Sequence, residues 1–203
     1  MSQPTTRAGF AAVLGAPNAG KSTLVNRLVG AKVSIVTQKV QTTRFPVKGV
    51  ATVGEAQIVL VDTPGVFKPR RRLDRAMVRA AWAGAEDADI VVHLVDAQAE
   101  LAVDAGEGRP ADKLAVQDAA TICEGVKVAG RQAILAVNKI DRVKRERLLA
   151  LSERLFETGA YSEVFLISAK TGSGVDDLRA RLAAAMAKRD DSDQAEAEDT
   201  APF

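Results

Sequence analysis

Hydrophobic positions along the chain fall into two rhythms. Short runs rich in Val and Ile, namely Phe10–Leu14, Val47–Val53, Gln57–Val61, Ile90–Val95, Ala133–Val137 and Val164–Ile167, have the length and β-branched content of strands. Longer stretches with helical spacing lie between or after them, at Lys21–Val29, Leu73–Glu86, Lys113–Glu124, Arg145–Thr158 and Val175–Lys188. This alternation predicts an α/β domain with a six-stranded, mostly parallel sheet and helices on both faces. The second and third strands are separated only by Gly54, Glu55 and Ala56, which suits a hairpin and makes one edge strand antiparallel. Gln98–Asp112 is polar and contains Gly106, Gly108 and Pro110, so it reads as a surface loop. Gly30 is placed to cap the first helix, and Asp176 and Asp177 suit the first turn of the last.

Composition narrows the classes without deciding among them. The 203 residues are 47% hydrophobic and 27% charged, which is ordinary for a globular domain. No apolar run is long enough to span a membrane, and the opening MSQPTTRAGF has no apolar stretch, so a cytoplasmic protein is expected. Cys123 and His93 are single, which excludes an intrachain disulfide and leaves metal chemistry to oxygen ligands. His93 falls inside a strand and Cys123 inside a helix, where both read as packing. Six acids and no base fall between Asp190 and Phe203, so residues 1–189 carry 28 bases against 20 acids. Three segments are expected: an extension at 1–8, the domain at 9–189 and an acidic, disordered tail at 190–203.

Gly15, Ala16, Pro17, Asn18, Ala19, Gly20, Lys21 and Ser22 satisfy G-x-x-x-x-G-K-[ST] between a strand and a helix, the context a phosphate loop requires. Backbone N–H groups and the positive end of the helix would surround a phosphate, Lys21 would reach the β and γ phosphates, and the Ser22 hydroxyl, followed by Thr23, could ligate Mg²⁺. Asp62, Thr63, Pro64 and Gly65 follow the third strand. They place a carboxylate for Mg²⁺ and a Gly65 N–H for the γ phosphate at a neighbouring strand end.

Asn138, Lys139 and Asp141 follow the fifth strand, and Ser168, Ala169 and Lys170 follow the sixth. A carboxylate at Asp141 accepts from guanine N1–H and its 2-amino group, which adenine lacks. The Ala169 N–H can donate to O6, Asn138 can contact the base edge, and the stems of Lys139 and Lys170 can lie along its faces. Together these choose GTP and GDP over adenine nucleotides.

With these segments in place, and with Gln41, Thr42, Thr43 and Arg44 after the first helix, the chain resembles the Era family of bacterial GTPases over about residues 8–188. The resemblance implies a P-loop NTPase G domain. It makes Thr43 a Mg²⁺ ligand of the GTP state, with Lys21, Thr43 and Gly65 serving hydrolysis. It also implies partnership with 16S rRNA and the 30S ribosomal subunit, a monomeric state, and cytoplasmic location with peripheral association at the inner membrane left open. The family's carboxyl-terminal KH domain is expected to be missing, because only the acidic tail follows Lys188; rRNA binding is weakened accordingly. Val66 stands where Ras-like enzymes place a water-orienting Gln, so intrinsic turnover should be slow. A nucleotide-gated binding module, or a related GTPase of tRNA modification or large-subunit assembly, remains an alternative. Asn18 either holds K⁺ beside the phosphates, as in several GTPases of this class, or only tightens the turn. Lys68, Arg70, Arg71, Arg72, Arg75 and Arg79 form a basic run that either touches RNA or is a solvated helix face.

Overall fold

A computed structural model describes residues 7–30, 47–54, 56–61 and 88–186. Within them, β1 (Arg7–Gly15) leads through the phosphate-loop segment into α1 (Lys21–Val29). Next come β2 (Val47–Val53), β3 (Ala56–Val61), β4 (Ile90–Asp96), α2 (Ala97–Asp104) and α3 (Pro110–Val128). The chain continues through β5 (Ala133–Asn138), a 3₁₀ turn (Ile140–Arg142), α4 (Arg145–Phe156), β6 (Tyr161–Leu166) and α5 (175–186). The sheet runs β2-β3-β1-β4-β5-β6. Among the described residues only the β2–β3 pair is antiparallel, with Val53 opposite Ala56 across the hairpin. The expected fold class and edge hairpin are therefore present.

Side-chain alternation along the parallel strands feeds two cores. Ala11 and Val13 of β1 pack on one face with Leu24 and Leu28 of α1 and Leu178 and Leu182 of α5. Ala12 and Leu14 pack on the other with Leu101 of α2, Ile122 of α3 and Leu148 and Leu151 of α4. Because β1 is flanked by β3 on one side and β4 on the other, the winding reverses beside it. Ligands of open α/β sheets bind at such a reversal, outside the carboxyl ends of the strands.

Several boundaries differ from the sequence reading. Arg7 and Ala8, expected in the extension, pair with Ala56 and Gln57, so β1 starts earlier. Gln98–Asp112 is mostly helical rather than loop. Asp96 Oδ1 accepts from the N–H groups of Gln98 (3.0 Å) and Ala99 (3.3 Å), capping α2, while Ala97, Ala99 and Leu101 are buried. Pro110 opens α3 instead of breaking it, leaving 105–109 as the connection. β6 begins at Tyr161 rather than Val164, because Glu163, polar but on an edge strand, is held by Arg181 of α5 at 2.7 and 2.9 Å. Gly30 does end α1, its N–H bonding to Asn26 O at 3.1 Å. The helix expected at 73–86 and the tail at 190–203 lie outside the described residues.

His93 is a core residue, as its place in a strand implied. Its ring is fully buried, Nδ1 lies 2.8 Å from the Tyr161 hydroxyl, and Nε2 has no partner among the described residues. Burial without a compensating charge pushes its pKa down from 6.5 to about 3. The unfolded chain therefore takes up a proton first as pH falls below 6.5, and stability present above that pH is lost on acidification. Between about pH 7.5 and about pH 5 the loss from this group should be about 2 kcal/mol, from the tenfold rule per pH unit. Denaturant melts of the parent and His93→Phe at both pH values test this: the substitution should flatten the acid limb, and equally steep limbs would exonerate His93. Cys123 is half-buried in α3, with Sγ 3.5 Å from Thr158 Oγ1.

Candidate functional site

The carboxyl ends of β1, β5 and β6 bring the glycine-rich loop, the Asn138–Asp141 segment and the Ser168–Lys170 segment to one edge of the sheet. In the first loop Gly15 ends β1, Ala16 and Ala19 are buried, and Pro17 and Asn18 project outward. Gly20 caps α1 with φ 105° and ψ 18°, and a Cβ there would collide with Asn138 Nδ2. Only glycine meets both demands, the left-handed backbone and the close approach. Leu24 N–H then bonds Gly20 O at 2.9 Å to start the helix. Lys21 is half-buried, and its ammonium donates to the carbonyls of Gly15 (2.8 Å) and Ala16 (3.0 Å). A cation is thereby held over the loop whose helix also directs its positive end outward, a combination that suits an anion.

Asn138 ties the loops together. It is 2% exposed; Nδ2 donates to Ala19 O at 2.7 Å, and Oδ1 accepts from the Ala169 N–H at 2.9 Å. One amide thus joins the phosphate-loop segment to the end of β6. The Ala169 N–H, expected to face a base carbonyl, is engaged with that amide here. Lys139 has φ 67° and its ammonium pairs with Asp96, the cap of α2. Ser168 Oγ donates to Asp141 Oδ1 at 2.7 Å, and this bond holds the Asp141 carboxyl below the usual carboxylate range. Asp141 is therefore an exposed, ionised acceptor at neutral pH. Lys170 is exposed beside it. Asn18 (φ 63°) and Lys139 are the non-glycine residues with positive φ among those described, and both lie at this edge. Such backbone costs about 1 kcal/mol per residue, and its concentration here marks a site held in a defined shape.

These features fit a nucleotide better than a metal cluster. Among the described residues no group of three His, Cys, Asp or Glu side chains could hold a metal. For Mg²⁺ bound with a nucleotide, the exposed Ser22 hydroxyl in the first turn of α1 is a hard oxygen donor beside the loop, and phosphate oxygens and water can complete the shell. Ser22 and Thr23 both lie exposed there. Thr43, Asp62, Thr63, Pro64, Gly65 and Val66, together with the Gln41–Arg44 tetrapeptide and the basic run from Lys68 to Arg79, fall outside the described residues.

The family model described as "50S ribosome-binding GTPase" matches residues 10–139, from β1 through the first residues of the Asn138 segment. The chain belongs to this family of GTPases. Within it, the chain is an Era-type G domain: it is 68% identical over 181 residues to the GTPase Era of Caulobacter vibrioides, covering 89% of this chain and 57% of that protein. Among solved structures, a point variant of Aquifex aeolicus Era bound to GDP·AlF4⁻ is 35% identical, with TM-score 0.62 over 87% of this chain and 56% of that one. Era in complex with MgGDPNP and nucleotides 1506–1542 of 16S ribosomal RNA is 33% identical, with TM-score 0.63 and the same coverage. The Era-type domain thus spans little more than half the length of the curated relatives it matches.

Two members of the site were not foreseen. Asp96 caps α2 with one carboxylate oxygen and holds Lys139 with the other. An Asp between an apolar run and the sequence Ala97-Gln98-Ala99-Glu100 is a readable helix start, and its place at a strand end could have brought it into the site. Arg27 reaches from α1 to the carbonyls of Ala169 (Nε, 3.2 Å) and Lys170. Nothing in its local sequence signals those contacts.

Proposed function

We propose that the chain binds GTP and GDP at the carboxyl edge of the sheet, hydrolyses GTP, and works in the cytoplasm as a monomeric switch in assembly of the small ribosomal subunit. The observation that carries the nucleotide reading is the Asn138 amide, which joins the phosphate-loop segment to the loop after β6 while Ser168 holds Asp141 ionised beside it. Gly15, Ala16, Pro17, Asn18, Ala19 and Gly20 cradle the phosphates, and Lys21 exchanges its two carbonyl partners for phosphate oxygens. Ser22, with Thr43 and Asp62, holds Mg²⁺, whose bound charge favours negative charge building on the phosphates. Asp141 accepts from the guanine N1–H and 2-amino group, flanked by the stems of Lys139 and Lys170. Attack of water on the γ phosphorus gives GDP and phosphate. The ribosomal role follows from the Era relatives and from the Era–16S rRNA complex.

The test is multiple turnover. The purified chain with Mg²⁺ should release more than one phosphate per protein from GTP and not from ATP; tight GTP binding with no second turnover would replace the enzyme by a nucleotide-gated binding module.

Asn18 supports a further element of this reading, a K⁺ ion beside the β and γ phosphates. Its side chain is exposed at the loop, and its φ of 63° is one that glycine also adopts. Asn18→Gly therefore removes the side-chain oxygen without straining the turn, which Asn18→Ala would do. Replacing Na⁺ with K⁺ at constant ionic strength should speed hydrolysis by about tenfold, an electrostatic gain of about 1.4 kcal/mol. Asn18→Gly should erase that difference while retaining GDP binding. Equal parental rates in the two salts would remove K⁺ from the site.

A further inference from the structure

Arg27 lies in the last turn of α1, exposed and remote in sequence from the loop it touches. Its Nε donates to Ala169 O at 3.2 Å and a terminal nitrogen donates to Lys170 O. The guanidinium also covers Gly172, where a Cβ would stand 3.1 Å from Nη1. A planar fork that grips two successive carbonyls fixes two successive peptide planes. In a trans peptide the N–H points opposite to the C=O, so anchoring Ala169 O on Arg27 turns the Lys170 N–H away from α1. The next donor along, Thr171 N–H, is held by Ser168 Oγ at 3.1 Å, and the preceding one, Ala169 N–H, by Asn138. The loop is therefore gripped from α1, from β5 and from within.

We infer that Arg27 is a positioning residue for guanine recognition: it holds the Ser168–Thr171 loop so that the Lys170 N–H, between the two donors held by Asn138 and Ser168, faces the 6-oxo edge of the base. This rests on the guanine-nucleotide reading above. It gives α1, whose first turn serves the phosphates, a second task at its other end, so that one rigid helix sets the distance between the phosphate and base subsites. Lysine cannot replace the fork, because a single ammonium does not fix two peptide planes together.

The experiment compares binding of GDP and of 2-aminopurine riboside diphosphate, which lacks the 6-oxo group, to the parent, Arg27→Ala and Arg27→Lys. Melting curves without nucleotide should stay close to the parent's, since Arg27 is a surface residue. GDP should bind about tenfold more weakly to Arg27→Ala, while the analogue changes by less than about twofold, so that the preference for the 6-oxo base shrinks. Arg27→Lys should recover only part of the preference. Equal weakening of both ligands, or undiminished GDP affinity, would overturn the role of Arg27 and leave the guanine reading standing. A parent protein that binds GDP and ADP alike would overturn the guanine reading, and the inference with it.

Discussion

Replacing Asn138 with Ala is expected to cost both fold stability and nucleotide binding. The side chain is buried and satisfies Ala19 O at 2.7 Å and Ala169 N–H at 2.9 Å, so its removal strands one acceptor and one donor. Each unsatisfied buried group costs about 1–3 kcal/mol, giving a total of about 2–6 kcal/mol and a melting midpoint lower by roughly 5–20 °C. Because the same amide joins two loops of the site, GDP affinity should fall by about a hundredfold or more. Asn138→Asp sharpens the test. The carboxylate retains an acceptor for Ala169 N–H but sets a second oxygen against Ala19 O, so it should rescue neither property. Thermal melts with and without GDP measure both effects, and an unshifted midpoint for Asn138→Ala would show that the amide is not a brace.

The second large effect is a change of base. Asp141 is exposed and ionised, its carboxyl held below the usual range by the Ser168 hydroxyl. Asn in its place offers one acceptor and one donor where guanine needs two acceptors, whereas the 2-oxo group of xanthine needs that donor. Asp141→Asn should lose about a hundredfold in GDP affinity and gain a comparable preference for XDP, within the range that a mismatched hydrogen-bonding edge commands. Ser168→Ala should weaken GDP far less, since the carboxylate survives without its support. Competition binding among GDP, XDP and ADP measures the outcome; unchanged GDP preference in Asp141→Asn would remove the carboxylate from base recognition.

How much of this was legible in the chain depends on the kind of interaction. The core strands were readable because Val- and Ile-rich runs of about six residues have few other uses, and the β2–β3 turn is too short for anything but a hairpin. The start of β6 is hidden in the sequence because Ser162 and Glu163 interrupt its apolar pattern, and an edge strand tolerates them once Arg181 pairs with Glu163. The Asp96-capped helix looks like a loop in sequence because two nearby glycines and a proline outweigh the cap, although they mark the end of one helix and the start of the next. The phosphate and base segments were visible because their chemistry fixes residue types at fixed spacing next to a strand end. Spacing cannot say which way an amide faces. Sequence alone therefore makes Asn138 a base contact, while in the structure its two polar atoms are committed to Ala19 and Ala169. Arg27 shows the limit most plainly, since its partners lie 142 and 143 residues away and only the fold brings them together.

Calorimetric titration of the purified chain with GDP and with ADP, in Mg²⁺ at neutral pH, decides whether this edge of the sheet is a guanine-nucleotide pocket. GDP should bind saturably, one to one, at least about a hundredfold tighter than ADP, because adenine leaves the ionised Asp141 without a donor. Equal affinities for the two diphosphates, or no binding of GDP, would contradict it.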